Sequence, residues 1–183
     1  MKVIIISGKS GSGKDAVASL FKNTLLQQNK RVLTIHFADL VKYYAALYYN
    51  WDGEKNEFGR ALLQKIGTTM MRTYEPDYWA AIVAKFIDAA ESDFDVALIP
   101  DWRFINEYET VCEYNPYVYS IRVERYNLDG TPYINQDMTP EQLAHISETE
   151  LDKFAFDYIL ENREGLEALK DSVEVILEDI DKE

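Results

Sequence analysis

Apolar positions along this chain alternate between two periods. Val3-Ile4-Ile5-Ile6 is a short β-branched run that predicts a buried strand, and Val17, Leu20, Phe21, Thr24 and Leu25 then fall at helical spacing. A second β-favouring run, Arg31 to Phe37, carries Val32, Leu33, Thr34 and Ile35. It ends in Ala38-Asp39, and an aromatic-rich helix is predicted from about Leu40 to Tyr49. Asn50 to Glu57, with Asp52-Gly53, reads as a turn or short loop. Arg60 to Thr73 returns to helical spacing through Leu63, Ile66 and Met70, with Gly67-Thr68 weakening its middle. Pro76 suits the first turn of the next helix, whose stripe of Trp79, Ile82, Val83, Phe86, Ile87 and Ala90 is expected to face a sheet.

Asp95 to Ile99 predicts a third strand that delivers Pro100-Asp101 to its C-terminal end. A helix face with Phe104, Ile105, Tyr108, Val111 and Cys112 follows, and then a fourth strand from Tyr117 to Val123. Asp129-Gly130 and Thr131-Pro132 mark a hairpin or loop. Thr139-Pro140-Glu141-Gln142 and Ser147-Glu148-Thr149-Glu150 have the pattern of capping boxes that open helices. Phe156 to Leu160 is a fifth strand, and Leu166, Leu169, Val173, Ile176 and Ile180 line an amphipathic helix. Strands alternating with helices imply an α/β fold: a central, mostly parallel five-stranded sheet with helices on both faces and right-handed crossovers. Residues 1–183 suit one domain.

Composition narrows the partners. The chain is 47% hydrophobic with a net charge of -13. Duplex nucleic acid and anionic membranes are recognised through clustered Lys and Arg, so neither a nucleic-acid polymer nor a membrane is expected as partner. Cys112 is the only cysteine, which excludes an intrachain disulfide and suits a reducing cytosol. Its position on an apolar helix face makes it a packing residue. The N-terminal apolar run is too short for a signal peptide, and no stretch is long enough to span a membrane. The expected location is cytoplasmic.

The candidate chemistry begins at Gly8-Lys9-Ser10-Gly11-Ser12-Gly13-Lys14-Asp15, between the first strand and the first helix. It fits the G-x-x-x-x-G-K part of a phosphate-binding loop, with Asp where Ser or Thr is usual. Its glycines let successive amides turn toward one anion, Lys14 would sit on the β- and γ-phosphates, and the helix N-terminus behind it favours negative charge. Residues Gly8 to Ala16 are therefore expected to hold the phosphates of ATP. Asp101, after an apolar strand, suits a carboxylate that holds Mg²⁺ directly or through water, and Asp15 is the second candidate ligand. An acid at the helix N-terminus, favoured by the dipole alone, also accounts for Asp15. Arg72, Arg103, Arg122 and Arg125 fall near strand or helix ends, and arginine suits bidentate phosphate contacts. The catalytic set expected from these positions is Lys14, Arg103, Arg122 and Arg125, with residues 124–150 as a mobile lid. Tyr43, Tyr44 and Trp79 could stack on a base or belong to the core.

Several blocks together resemble the phage-type deoxynucleoside monophosphate kinases, and more distantly the animal-type phosphomevalonate kinases. They are Gly8 to Asp15, Phe37-Ala38-Asp39-Leu40-Val41-Lys42, Leu62-Leu63-Gln64-Lys65-Ile66-Gly67-Thr68 with Arg72, and Pro76-Asp77-Tyr78-Trp79. Pro100-Asp101-Trp102-Arg103-Phe104 with Asn106-Glu107, and His145-Ile146-Ser147-Glu148 before Leu151, complete the set. The resemblance implies a P-loop nucleoside-monophosphate-kinase-like fold and Mg²⁺-dependent transfer of the γ-phosphate of ATP to a deoxynucleoside 5′-monophosphate. It places the acceptor in region 38–75 and beyond, facing Asp39, Lys42, Gln64, Arg72 and Arg103, with Trp79 and Asp101 beside them. It also suggests work in a bacterial host cytoplasm and leaves homodimer formation open. Val41, where the family often has Pro, and Trp102, where a small residue is commoner, are departures that bear on the acceptor's base. A kinase of another small metabolite, of the phosphomevalonate or dephospho-coenzyme-A type, and a nucleotide-binding switch are the rival readings.

Overall fold

A computed structural model describes residues 1–163 and 166–182. The strands are β1 (Lys2–Ser7), β2 (Val32–Thr34), β3 (Val96–Trp102), β4 (Val118–Arg125) and β5 (Tyr158–Asn162). The helices are α1 (Lys14–Gln27), α2 (Asp39–Tyr49), α3 (Glu57–Gln64), α4 (Met71–Tyr74), α5 (Tyr78–Ala89), α6 (Ile105–Tyr114), α7 (Pro140–Leu143), α8 (Ile146–Thr149) and α9 (Leu166–Ile180). The sheet order is β2-β3-β1-β4-β5 and every pairing is parallel, so the expected mostly parallel sheet is wholly parallel.

The β-branched run of β1 is buried on both faces, as a central parallel strand requires. Ile4 and Ile6 point to one side, where Val17 and Phe21 of α1 and Leu169, Val173 and Ile176 of α9 cover them. The side chain of Leu166 lies outside what is described. Val3 and Ile5 meet Ala80, Val83, Ala84 and Ile87 of α5 and Val111 of α6 on the other side. A separate cluster of Val41, Ala45, Leu62, Ile66 and Trp79 builds a shelf from α2, α3, the stretch that continues it and the start of α5. The connection out of β1 runs past β3 to β2, whereas the connection out of β3 runs back past β1 to β4, so the winding reverses between β3 and β1. A crevice therefore opens beyond the C-terminal ends of β3, β1 and β4.

Some boundaries differ from the sequence-based expectation for identifiable reasons. The second strand stops at Thr34 and does not reach Phe37, because the amides of Phe37 and Ala38 turn to bond the Asp101 carboxylate at 3.0 and 2.9 Å. The helix expected from Arg60 starts at Glu57, since Asn56 accepts the Gly59 amide at 2.9 Å and caps it. Its continuation Lys65–Met70, around Gly67-Thr68, is a π-helical stretch. Pro76 lies before α5, outside it. On α5, Phe86 is 51% exposed, and the smaller Ala80 and Ala84 let the helix approach the sheet in its place. The fifth strand begins at Tyr158, because Phe156 joins Phe154, Tyr108 and Trp102 in an aromatic cluster. The Thr139–Gln142 capping box forms in both directions. Ser147 caps nothing: the His145 ring accepts its amide at 3.2 Å, and Glu150 reaches across to the Ile105 amide at 2.8 Å. Among the described residues, no helix is long and apolar enough to cross a membrane.

Candidate active site

The turn from β1 into α1 is held by its glycines. A Cβ at Gly8 would lie 2.5 Å from both the Ser12 hydroxyl and the Val123 carbonyl oxygen, and Gly13, with φ of 100°, caps α1 in a left-handed conformation. The Lys14 ammonium folds back to donate to the Lys9 carbonyl at 3.0 Å. Burial, and then the neighbouring Arg103 guanidinium, push its pKa down to about 7, while Glu148, Asp15 and Asp101 pull it back up. Ser12 Oγ is buried with no hydrogen-bond partner among the described residues. Asp15 is exposed in the first turn of α1, beside Ala16.

Because Lys14 is largely neutral at pH 8 when its pKa lies near 7, a bound polyphosphate should recharge it. Binding of Mg²⁺-ATP, whose γ-phosphate is already deprotonated, is expected to take up protons at pH 8 and far fewer at pH 6. Calorimetry in two buffers of different ionisation enthalpy measures this directly, and proton release at pH 8 would contradict it.

A cavity of about 260 Å³ opens beside the loop. Phe37, Val41, Leu63 and Trp79 form apolar walls, and Gln64, Arg72, Asp101 and Arg103 supply polar ones. Arg72 uses four of its five donors on protein: the Gly67 and Pro76 carbonyls, Asn106 Oδ1 and the Glu107 carboxylate. Trp79 Nε1 donates to the same Gly67 carbonyl at 3.0 Å. The π-helical stretch thus exposes one carbonyl that orients both cavity residues. Glu107 is buried and also accepts the amides of Arg103 and Phe104 at 2.8 and 3.0 Å, capping α6. Burial pushes its pKa up to about 7, and Arg72 and the two amides limit the rise. Asp101 spends both oxygens on the Phe37 and Ala38 amides, so it shapes the cavity rim as well as lining it.

Asp39 and Lys42 do not line the cavity. They pair with each other at 3.4 Å, and Asp39 also holds the His36 amide and ring. Trp102 is fully buried and faces the aromatic cluster, so that departure concerns packing, whereas Val41 does line the cavity.

A second cavity, of about 140 Å³, lies on the other side of the loop between Lys9, Ser12, Arg122, Arg125 and Tyr133. Arg125 donates to the Gly11 carbonyl at 3.0 Å, with its guanidinium 4.1 Å from the centre of the Tyr133 ring. Arg122 is buried, bonded to Ser7 Oγ at 3.3 Å and to Asp152 at 3.0 Å, and Asp152 also holds Lys9 at 2.9 Å. Ser10 lines both cavities. The sequence reading missed Glu107, Glu148, Asp152 and Asn135 as site residues. Acids of this kind become visible only once burial is known, although Glu107 and Glu148 lie in blocks of the resemblance.

No protein-family model and no curated protein matches this chain. Solved structures do share its fold. The APS kinase of Mycobacterium tuberculosis, in complex with AMPPNP and APS, aligns with a TM-score of 0.56 at 13% identity over 97% of both chains. A sugar kinase from Janibacter sp. HTCC2649 aligns with a TM-score of 0.57 at 14% identity over 97% of this chain and 95% of that one. The shikimate kinase of Aquifex aeolicus aligns with a TM-score of 0.51 at 18% identity, covering 97% and 96%. This chain shares the α/β fold of these solved structures, with its five strands in one parallel sheet.

Proposed function

We propose that this protein transfers the γ-phosphate of ATP to a deoxynucleoside 5′-monophosphate. The observation that carries the two-ligand part of this reading is Ser10, which lines both cavities, so that a donor and an acceptor would meet at the phosphate loop. The orphaned Ser12 hydroxyl, the loop glycines and Lys14 suit the donor's phosphates. Arg122 and Arg125 line the smaller cavity, on the donor side, and Arg103 lines the larger one. Residues 124–150 would act as the lid. ATP brings Mg²⁺, which would neutralise phosphate charge. Asp15, exposed in the first turn of α1, would hold the ion, and Asp101, whose two oxygens already accept the Phe37 and Ala38 amides, would do so only through water.

The chemistry of the acceptor follows from the carboxylates. A hydroxyl acceptor wants a free base. Asp101, Glu107 and Glu148, the acids lining the larger cavity, each already accept at least two hydrogen bonds or ion-pair contacts. A phosphate oxygen, already ionised at neutral pH, needs only positioning and charge stabilisation, which Arg103 and Lys14 can supply. The apolar walls of Phe37, Val41 and Trp79 suit a planar base, and the sequence resemblance supports the deoxynucleotide class and a cytoplasmic reaction.

The test is ADP release from ATP and Mg²⁺ with dGMP, dTMP, dCMP, dAMP, the ribonucleotides, phosphomevalonate, APS and shikimate in turn. ADP formation that depends on a deoxynucleoside monophosphate is the expected result. Response to one of the other metabolites alone would replace the acceptor assignment.

A further inference from the structure

Glu148 is an acid that phosphate transfer, as described, leaves without a task. It is 8% exposed and does not cap its own helix. One carboxylate oxygen accepts the Ser10 amide of the phosphate loop at 2.8 Å, and the other lies 2.7 Å from Arg103 Nη1. It also acts electrostatically on Lys14. A loop amide, an arginine and a lysine around one carboxylate are the partners that a phosphate group takes.

The chain around Glu148 is fastened to the same loop. Asn135 Nδ2 donates to Ser10 Oγ at 3.0 Å, the Lys9 ammonium pairs with Asp152 at 2.9 Å, and Arg103 also donates to the Ser147 carbonyl at 3.3 Å. The segment that closes over the loop therefore brings its own anion with it.

We propose that Glu148 is a built-in phosphate surrogate: it takes the Ser10 amide and Arg103, and a substrate phosphate must displace it. Two anions cannot share those donors without strong repulsion, so binding and release of Glu148 are coupled. Arg103 is thereby kept aimed at the loop before any ligand arrives, and α8 is set free from the loop when phosphate takes over. The inference rests on the phosphate-loop reading, and the experiment separates the two.

Calorimetric titration of the full chain with inorganic tripolyphosphate, and separately with ATP, compares the wild type with Glu148→Gln, Glu148→Asp and Glu141→Gln. Glu148→Gln keeps the shape and removes the competing charge, and is expected to bind both ligands at least about fivefold more tightly. Glu148→Asp, one methylene shorter, cannot span both partners and should fall between it and the wild type. Glu141 is exposed on α7, and its neutralisation should leave affinity within about twofold, which controls for net charge. Thermal melts without ligand should be lowered for both Glu148 variants. Equal or weaker binding by folded Glu148→Gln overturns the inference, as does equal tightening in Glu141→Gln. Should Glu148→Gln not fold, the Glu148→Asp titration decides in the same way. Failure of the wild type and every variant to bind either ligand overturns the phosphate-loop reading, and this inference with it.

Discussion

Lys14→Ala is expected to lower kcat/KM for ATP-dependent phosphoryl transfer by about a hundredfold or more, with little change in thermal stability. Of the two loop lysines, Lys9 reaches out to Asp152 whereas Lys14 turns back on the loop, with Nζ on the Lys9 carbonyl at 3.0 Å. Lys14 stands where Arg103, Glu148, Asp15 and Asp101 all act on it, so removing it takes out the positive charge at the centre of the site. The fold should not suffer, because Lys14 belongs to none of the apolar clusters and leaves no core cavity. Its lowered pKa points the same way: the charged form is disfavoured by burial, and its loss relieves that cost. ADP release with saturating acceptor, alongside a thermal melt, measures both halves. A variant with undiminished turnover would remove the loop from the mechanism.

The largest loss of stability should come from Trp102→Ala, at about 3–5 kcal/mol. The indole is fully buried at the end of β3, stacked on Tyr108 at 5.3 Å between ring centroids and met edge-on by Phe154 at 4.9 Å and Phe156 at 5.3 Å. Alanine would leave a cavity lined by rings that cannot all collapse into it, and would remove the 2.7 Å bond from Nε1 to the Phe104 carbonyl, which would keep only the Glu107 amide at 3.1 Å. In a chain of this length such a loss corresponds to a fall in melting temperature on the order of 10 °C. Chemical denaturation gives the free energy itself. Because Asp101 and Arg103 flank Trp102, activity at low temperature should fall too, as the strand end that presents them loosens. A loss below about 1 kcal/mol would mean that the aromatic cluster does not anchor this strand.

Much of the architecture is legible in residue order alone, because local chemistry and burial agree there. Val3 to Ile6 has no polar position, so it can only be a strand covered on both faces. Gly8, Gly11 and Gly13 announce the turn that joins β1 to α1 through backbone freedom, a property of single residues and their spacing, and all three take positive φ. The Thr139 to Gln142 capping box closes over three residues and forms as read. Element boundaries fail where a distant group takes over a local bond. The second strand is cut short by Asp101, 63 and 64 residues away, and the Ser147 box is replaced by His145 and by Ile105 as a partner for Glu150.

The site divides along the same line. Glycine spacing, Lys9 and Lys14 and the strand–loop–helix order by themselves put a glycine turn and two cations at one end of a parallel sheet. Asp39 and Lys42, equally plausible by position, turn toward each other outside the cavity, and Arg72 spends most of its donors on carbonyls and Glu107. Only the tertiary structure decided this, because the free donors of a side chain are known only after its neighbours have been counted. The same holds for Glu148, which becomes an anion in the phosphate loop solely because folding carries it from the lid segment to within 2.8 Å of Ser10. Short-range chemistry is written in the spacing of residues; competition for a shared donor arises only when segments far apart in the chain are brought into contact.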